Sequence, residues 1–310
     1  FGTKEVLRLA TSGRKLALVS YISTLSVFDA GRGEKIKETD ELPAVTRTHG
    51  GYPQTKWVSE RLMLACNEKG IPCEIYRPGR ITGDSRTGHA ATEDFQCRLI
   101  KGCIQLGAYP DLDWIMDMTP VDYVSRSIVT AGVRGLMQLE ADGSSSQQTS
   151  GWSKPCSIYH LCNPNPIQLS QLFQWLYRFG FPVKETTYTQ WREMIIQAAK
   201  NSSAPKKKRL TIKVNEEQKR TTSSSDTNIV NPLVAVLPLL LPEKQKMGDR
   251  KTMPLFDTSN TEARLTKISE ELMCPAITDD LLDTYFGYFV SSRFLPAPNY
   301  DQFQFEMDKY

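Results

Sequence analysis

The run Leu16-Ala17-Leu18-Val19-Ser20-Tyr21-Ile22 is apolar and closed by the small polar cluster Ser23-Thr24-Leu25-Ser26. Its length and composition predict a buried strand. A polar stretch holding Gly31, Gly33 and Pro43 follows. Helix-forming sequence then covers 53–69, with Val58, Leu62 and Ala65 on one face and Gly70 as its stop. Cys73-Glu74-Ile75-Tyr76 is a second strand, ended by Arg77-Pro78-Gly79-Arg80. Strand, helix and strand at this spacing form a right-handed crossover, so the sheet is parallel and the class is α/β.

Working outward, Thr3 to Ala10 reads as a helix with Val6, Leu7 and Ala10 on one face, and Gly13 closes it. A chain that opens inside a helix at Phe1 is expected to be a piece of something longer. Further helices are predicted over 93–106 and 120–137. The second has Thr119 as N-cap, Pro120 in its first turn and Asp122 three residues after the cap. A third strand is predicted over 157–162, and Asn163-Pro164-Asn165-Pro166 turns the chain into a helix ending at Gly180. Residues 197–228 are rich in Ser, Thr, Lys, Asn and Gln without apolar periodicity, and read as a flexible insertion. Order is expected again over 232–241 and 278–290. In the latter, Leu281, Leu282, Tyr285, Phe286, Phe289 and Val290 form an apolar face behind Asp279 and Asp280.

Composition narrows the function classes. The chain has 310 residues, of which 40% are hydrophobic and 24% charged, which suits two domains or one large α/β unit with an appendage. No apolar run is long enough for a membrane span, because Pro232 and Pro238 cut the longest, and no secretory leader pattern opens the chain. The net charge of +3 is owed to Lys206-Lys207-Lys208-Arg209, without which the remainder is slightly acidic. Nucleic acid is therefore not an expected partner. The run also looks like a nuclear import signal, but in a Ser/Lys-rich loop it reads first as a solvated insertion. Seven cysteines with no C-x-x-C pair predict reduced thiols in the cytoplasm, without a disulfide scaffold or a metal site.

The sharpest chemical signal is Tyr52-Pro53-Gln54-Thr55-Lys56. A spacing of four puts a phenol and an ammonium one helical turn apart on one face. At about 4 Å and an effective dielectric of about 20, a lysine stabilises a phenolate by roughly 4 kcal/mol. Such a phenol can exchange a proton with a reacting carbonyl oxygen. The bland alternative is a solvated helix face, since Tyr-x-x-x-Lys arises often by chance. Context favours chemistry. Ser23 and Thr24 end one parallel strand and Arg77-Pro78-Gly79 ends the next, both at the crevice where open α/β sheets bind ligands.

This order of features resembles the extended short-chain dehydrogenase/reductase superfamily. Gly51-Tyr52-Pro53-Gln54-Thr55-Lys56-Trp57 and Tyr76-Arg77-Pro78-Gly79-Arg80-Ile81-Thr82-Gly83-Asp84 are similar to the thioester reductase domains of nonribosomal peptide and hybrid polyketide synthetases. Aminoadipate reductases and carboxylic acid reductases end in the same domain. Thr119-Pro120-Val121-Asp122-Tyr123-Val124, Tyr159-His160-Leu161-Cys162-Asn163-Pro164 and Phe256-Asp257-Thr258-Ser259-Asn260-Thr261 extend the resemblance, which leaves 197–228 unmatched.

The resemblance implies a Rossmann-like parallel sheet lacking its first strands over 1–165, and a smaller, mostly helical substrate- and carrier-facing portion over 166–310. It implies NADPH- or NADH-dependent reduction of an acyl or peptidyl thioester held on a carrier domain's phosphopantetheine arm. Hydride reaches the thioester carbonyl, and the hemithioacetal collapses to an aldehyde, which some members reduce on to an alcohol. Upstream adenylation and synthetase domains are the implied partners. Thr24 and Tyr52 would hydrogen-bond the carbonyl oxygen, with Tyr52 as proton donor. Ser23 is a rival to Thr24. Lys56 would hold the nicotinamide ribose and favour the Tyr52 phenolate. Pro78, Gly79 and Ile81 would line the nicotinamide side, and Arg77 and Arg80 would reach the phosphate of the carrier's arm.

One departure stands out. The glycine-rich turn that receives a dinucleotide pyrophosphate does not occur, since Gly31-Arg32-Gly33 follows the Ser/Thr strand and has no third glycine. These residues alone are therefore expected to bind the dinucleotide poorly. A fatty-acyl or sugar-nucleotide reductase, or a non-catalytic fragment, are the alternatives. His49, His89 and His160 have no partner spacing for a metal or a relay and read as loop or strand residues. Cys97 and Cys103 read as core thiols. Trp114, Trp152, Trp175 and Trp191 read as packing.

Overall fold

The computed structural model describes residues 2–13, 17–28, 35–44, 50–144, 154–203, 230–239, 254–269 and 272–299. Leu16, Gly31, Gly33, His49, Trp152 and the basic run at 206–209 lie outside them. In chain order the elements begin with α1 (Gly2–Ala10), β1 (Val19–Ile22), α2 (Gly51–Glu68), β2 (Cys73–Pro78) and β3 (Ile81–Thr82). Next come α3 (Phe95–Leu106), β4 (Ala108–Pro110), β5 (Ile115–Met116), β6 (Thr119–Pro120), α4 (Val121–Ser144) and β7 (Ser157–Leu161). The chain continues with β8 (Ile167–Gln168), α5 (Leu169–Arg178), β9 (Lys184–Thr186), α6 (Tyr188–Ser203), α7 (Leu233–Val236), α8 (Ser259–Thr266) and α9 (Asp279–Ser291).

In place of a single boundary near 165, the chain forms two interleaved compact units. One draws on the described residues of Phe1–Ala91, Asp113–Leu169 and Gly248–Pro296, the other on those of Thr92–Leu112, Ser170–Met247 and Ala297–Tyr310. A linear boundary fails because α8 and α9, late in the sequence, belong with the first unit.

The first unit is built on a parallel sheet in the order β1-β2-β7. Every residue of β2 is buried, as a central strand requires. Its alternating side chains feed two cores. Cys73 and Ile75 pack with Leu7, Val19 and Met63 under α1 and α2. Tyr76 packs with Tyr123, Val124, Tyr159, Leu161 and Leu265 under α4 and α8. Tyr76 and Tyr159 stack at 5.0 Å between ring centroids, as their register in β2 and β7 dictates. Helices therefore cover both faces, the doubly wound arrangement expected of a parallel sheet.

Three local expectations change. Val58 and Leu62 are exposed at 48% and 40%, and α2 instead turns Glu60 and Met63 inward. Apolar periodicity misleads there because the buried position is filled by a glutamate whose charge is paired. Thr119 does not cap α4. It lies in β6, paired with β3, and its hydroxyl donates to Asp117. Asp122 accepts from the Ser85 amide and hydroxyl, both at 2.8 Å, which anchors the loop after β3 to α4.

The second unit holds α3, α6, α7 and the parallel pair β4-β9. Cys97, Leu99 and Cys103 are buried in α3, and burial pushes both thiols up. Asn231 donates from its side chain to the Gly102 carbonyl at 3.0 Å, and Leu233 occupies the space a Cβ at Gly102 would need. Within the range read as a flexible insertion, 197–203 complete α6, and 204–229 lie outside the described residues.

Candidate active site

The candidate residues gather where the parallel strands end. Beyond β1, the Ser23 amide donates to the Tyr76 carbonyl at 2.6 Å. Beyond β2, the Gly79 amide donates to the Leu161 carbonyl at 2.9 Å. Thr24 then opens a 3-10 turn over Leu25–Val27, its hydroxyl accepting from the Ser26 amide at 3.3 Å. Thr24 is half-buried, whereas Ser23 is buried and its hydroxyl has no hydrogen-bond partner among the described residues. Of the two hydroxyls, only that of Thr24 is accessible.

Tyr52 and Lys56 sit in the first turns of α2. The Lys56 ammonium donates to the Ile22 carbonyl at 2.7 Å, which ties the helix to the end of β1. It lies 5.3 Å from the Tyr21 ring centroid and 5.8 Å from that of Tyr52. The two phenols differ in setting. Burial pushes Tyr21 up, so it stays neutral, while Tyr52 is 60% exposed. An ammonium has three donors, and Ile22 takes one.

Gly79 has a steric reason to be glycine. A Cβ there would overlap the Asp117 carboxylate and come within 2.9 Å of the Cys162 Cβ. Asp117 in turn accepts from the Arg80 amide at 2.9 Å, the Asn163 amide at 3.0 Å and the Thr119 hydroxyl at 2.6 Å. Burial pushes its carboxyl up, and these donors together with the Arg80 charge act the other way. Asp117 therefore pins the turn carrying Pro78, Gly79 and Ile81 to the end of β7. Gly79→Ala is expected to lower stability by about 1–3 kcal/mol through overpacking. Denaturant unfolding measures it, and an unchanged midpoint would mean that the Asp117 carboxylate moves aside freely.

The two arginines separate. Arg77 is 1% exposed, and its guanidinium forks onto the buried Glu60 carboxylate, with Nη2 to Oε2 at 2.7 Å. The expectation that it meets a carrier phosphate is corrected: on the β2 face that α2 covers, its charge is already neutralised. Arg80 is exposed beside the Gly79 turn.

Glu60, Asp117 and Asn163 were not anticipated as site residues. Glu60 had a signal, since Tyr52, Lys56 and Glu60 continue one spacing of four along α2. Asp117 had none, and Asn163 had only its place in the Tyr159–Pro164 stretch of the resemblance, because folding alone brings them to Gly79. His160 is a buried strand residue. Burial and the Arg77 charge push it down to about 3, so it is neutral at working pH. His89 packs edge-on against Tyr288.

Residues 1–128 match the sequence profile of the family described as Male sterility protein. A linear gramicidin synthase polypeptide of Brevibacillus parabrevis is 35% identical over 214 residues, covering 66% of this chain and 4% of that protein. The L-2-aminoadipate reductase of Schizosaccharomyces pombe is 27% identical over 319 residues, covering 96% of this chain and 19% of that protein. Among solved structures, the terminal R domain from the myxalamid PKS-NRPS biosynthetic pathway superposes with a TM-score of 0.73 at 31% identity. That match covers 96% of this chain and 64% of that domain. The chain thus spans a small part of these curated relatives, and the α/β fold with parallel strands is the one that the R domain has. Among the described residues, no helix is long and apolar enough to cross a membrane.

Proposed function

We propose that this chain carries the reacting half of an NADPH- or NADH-dependent reductase that converts a carrier-bound acyl or peptidyl thioester to an aldehyde. The observation that carries this reading is Lys56. It is held to the end of β1 by the Ile22 carbonyl, and its charge lies beside the exposed Tyr52 ring. The kinship of residues 1–128 and the likeness to an aminoadipate reductase and a synthetase R domain support it.

The residues present fit the nicotinamide end of a dinucleotide. Ile81 is exposed beside the Gly79 turn, and Lys56 has donors for ribose hydroxyls. When bound, a reduced nicotinamide supplies the hydride that the thioester carbonyl carbon takes up. The protein's own groups then manage the oxygen. Thr24 and Tyr52 hydrogen-bond it as negative charge develops, and the Tyr52 hydroxyl gives it a proton. The nearby Lys56 cation stabilises the phenolate left behind. Collapse of the hemithioacetal releases the thiol of the phosphopantetheine arm. Arg80, exposed beside the turn, would meet the arm's phosphate. The partner is accordingly a carrier domain within a larger synthetase.

In a polypeptide extended N-terminally to supply a glycine-rich dinucleotide turn, loss of nicotinamide absorbance with an acyl-pantetheine thioester, and none with a nucleotide sugar, is the expected result. Turnover of the sugar nucleotide alone would replace this reading with a sugar-nucleotide reductase.

A further inference from the structure

Arg77 touches both elements that carry the reacting groups. Its Nε donates to both Glu60 oxygens at 3.1 Å and Nη2 donates to Oε2 at 2.7 Å, which fixes the α2 helix bearing Tyr52 and Lys56. The same guanidinium stacks 4.9 Å from the centroid of Phe28, the residue that ends the 3-10 turn opened by Thr24. Its third contact is Nη1 to His160 Nε2 at 3.2 Å. Arginine only donates, so this His160 nitrogen accepts and the ring proton resides on Nδ1, which donates to the Asp257 carbonyl at 3.1 Å. The histidine is held in turn by its amide donating to the Thr261 hydroxyl at 2.9 Å, and that hydroxyl donates to the buried Glu38 at 2.7 Å. Arg77 and Glu60 are both fully enclosed.

Stability does not explain such an arrangement. Buried ion pairs are often no more stable than apolar side chains of the same volume. A planar fork with fixed partners on three sides does supply geometry. We propose that Arg77 is a positioning residue, setting the turn that bears Thr24 and the helix that bears Tyr52 and Lys56 at a fixed separation. This inference rests on the reading of those three residues as the reacting groups.

The test replaces the pair together, Glu60→Leu with Arg77→Met, and separately makes Arg77→Lys, which keeps the charge and loses the fork. Three quantities are read: the melting temperature, amide hydrogen exchange over 23–28 and 50–58, and, in a polypeptide extended N-terminally to supply a glycine-rich dinucleotide turn, kcat and KM for an acyl-pantetheine thioester. The paired variant should melt close to the parent, exchange at least about tenfold faster in both segments, and lose kcat at least about tenfold with KM little changed. Arg77→Lys should fold and show the same direction in both segments. Parental exchange in either segment of a folded variant overturns the proposal, as does parental kcat in both variants. If the paired variant does not fold, exchange in Arg77→Lys decides alone. A parent that reduces no thioester even when extended N-terminally to supply a glycine-rich dinucleotide turn would overturn the proposed function, while exchange would still decide whether Arg77 sets the two elements.

Discussion

Tyr52→Phe is expected to leave the melting temperature where it is and to lower the rate of thioester reduction about 10²- to 10⁴-fold, the range for losing a general acid. The fold tolerates the change because Tyr52 is 60% exposed, so removing its hydroxyl opens no cavity. The rate does not, because phenylalanine keeps the ring beside Lys56 but has no proton to give the carbonyl oxygen. The effect should fall on kcat, since charge on that oxygen develops only as hydride arrives. Turnover equal to that of an active parent extended N-terminally to supply a glycine-rich dinucleotide turn, measured with an acyl-pantetheine thioester at saturating nicotinamide, would remove Tyr52 from the chemistry.

Arg77→Met alone should have the largest effect on stability. It leaves the Glu60 carboxylate at 0% exposure without its partner. Uncompensated burial of a charge costs about 3–5 kcal/mol, which lowers the melting temperature on the order of 10 °C. His160 Nε2 also loses the donor it accepts from. An unfolding midpoint equal to the parent's would mean that water reaches Glu60 in the variant. The contrast with the paired replacement is the informative comparison. Removing one charge strands the other, whereas removing both strands no charge and leaves only the neutral His160 Nε2 without its donor.

Much of the first unit is legible in the chain. The strand ending at Ile22, the helix stopped at Gly70 and the strand beginning at Cys73 follow from apolar runs and glycine punctuation, and they form β1, α2 and β2. Tyr52 and Lys56 are legible because they are four residues apart on one helix. The face that α2 buries is not. Val58 and Leu62 look like core and are exposed, while Glu60 looks like surface and is enclosed. A glutamate can be buried only if a partner arrives, and that partner, Arg77, comes from a neighbouring strand. Arg77 was misread for the same reason in reverse. Beside Pro78 and Gly79 it resembles a free cation at the mouth of a cleft, but its strand parity turns it toward α2.

Sequence by itself determined what is local. Helical spacing put Tyr52 and Lys56 on one face, and short apolar runs made the parallel strands. The same runs set the crossover that brings Thr24, Lys56 and Gly79 to one end of the sheet. Tertiary structure alone decided which charges are neutralised and what holds the turns. Glu60 meets Arg77, and Asp117 pins the Gly79 turn to Asn163, across separations that no periodicity spans. The physical reason is that a hydrophobic pattern records where water is excluded, whereas a buried charge is tolerated only where folding delivers its counter-charge or its donors.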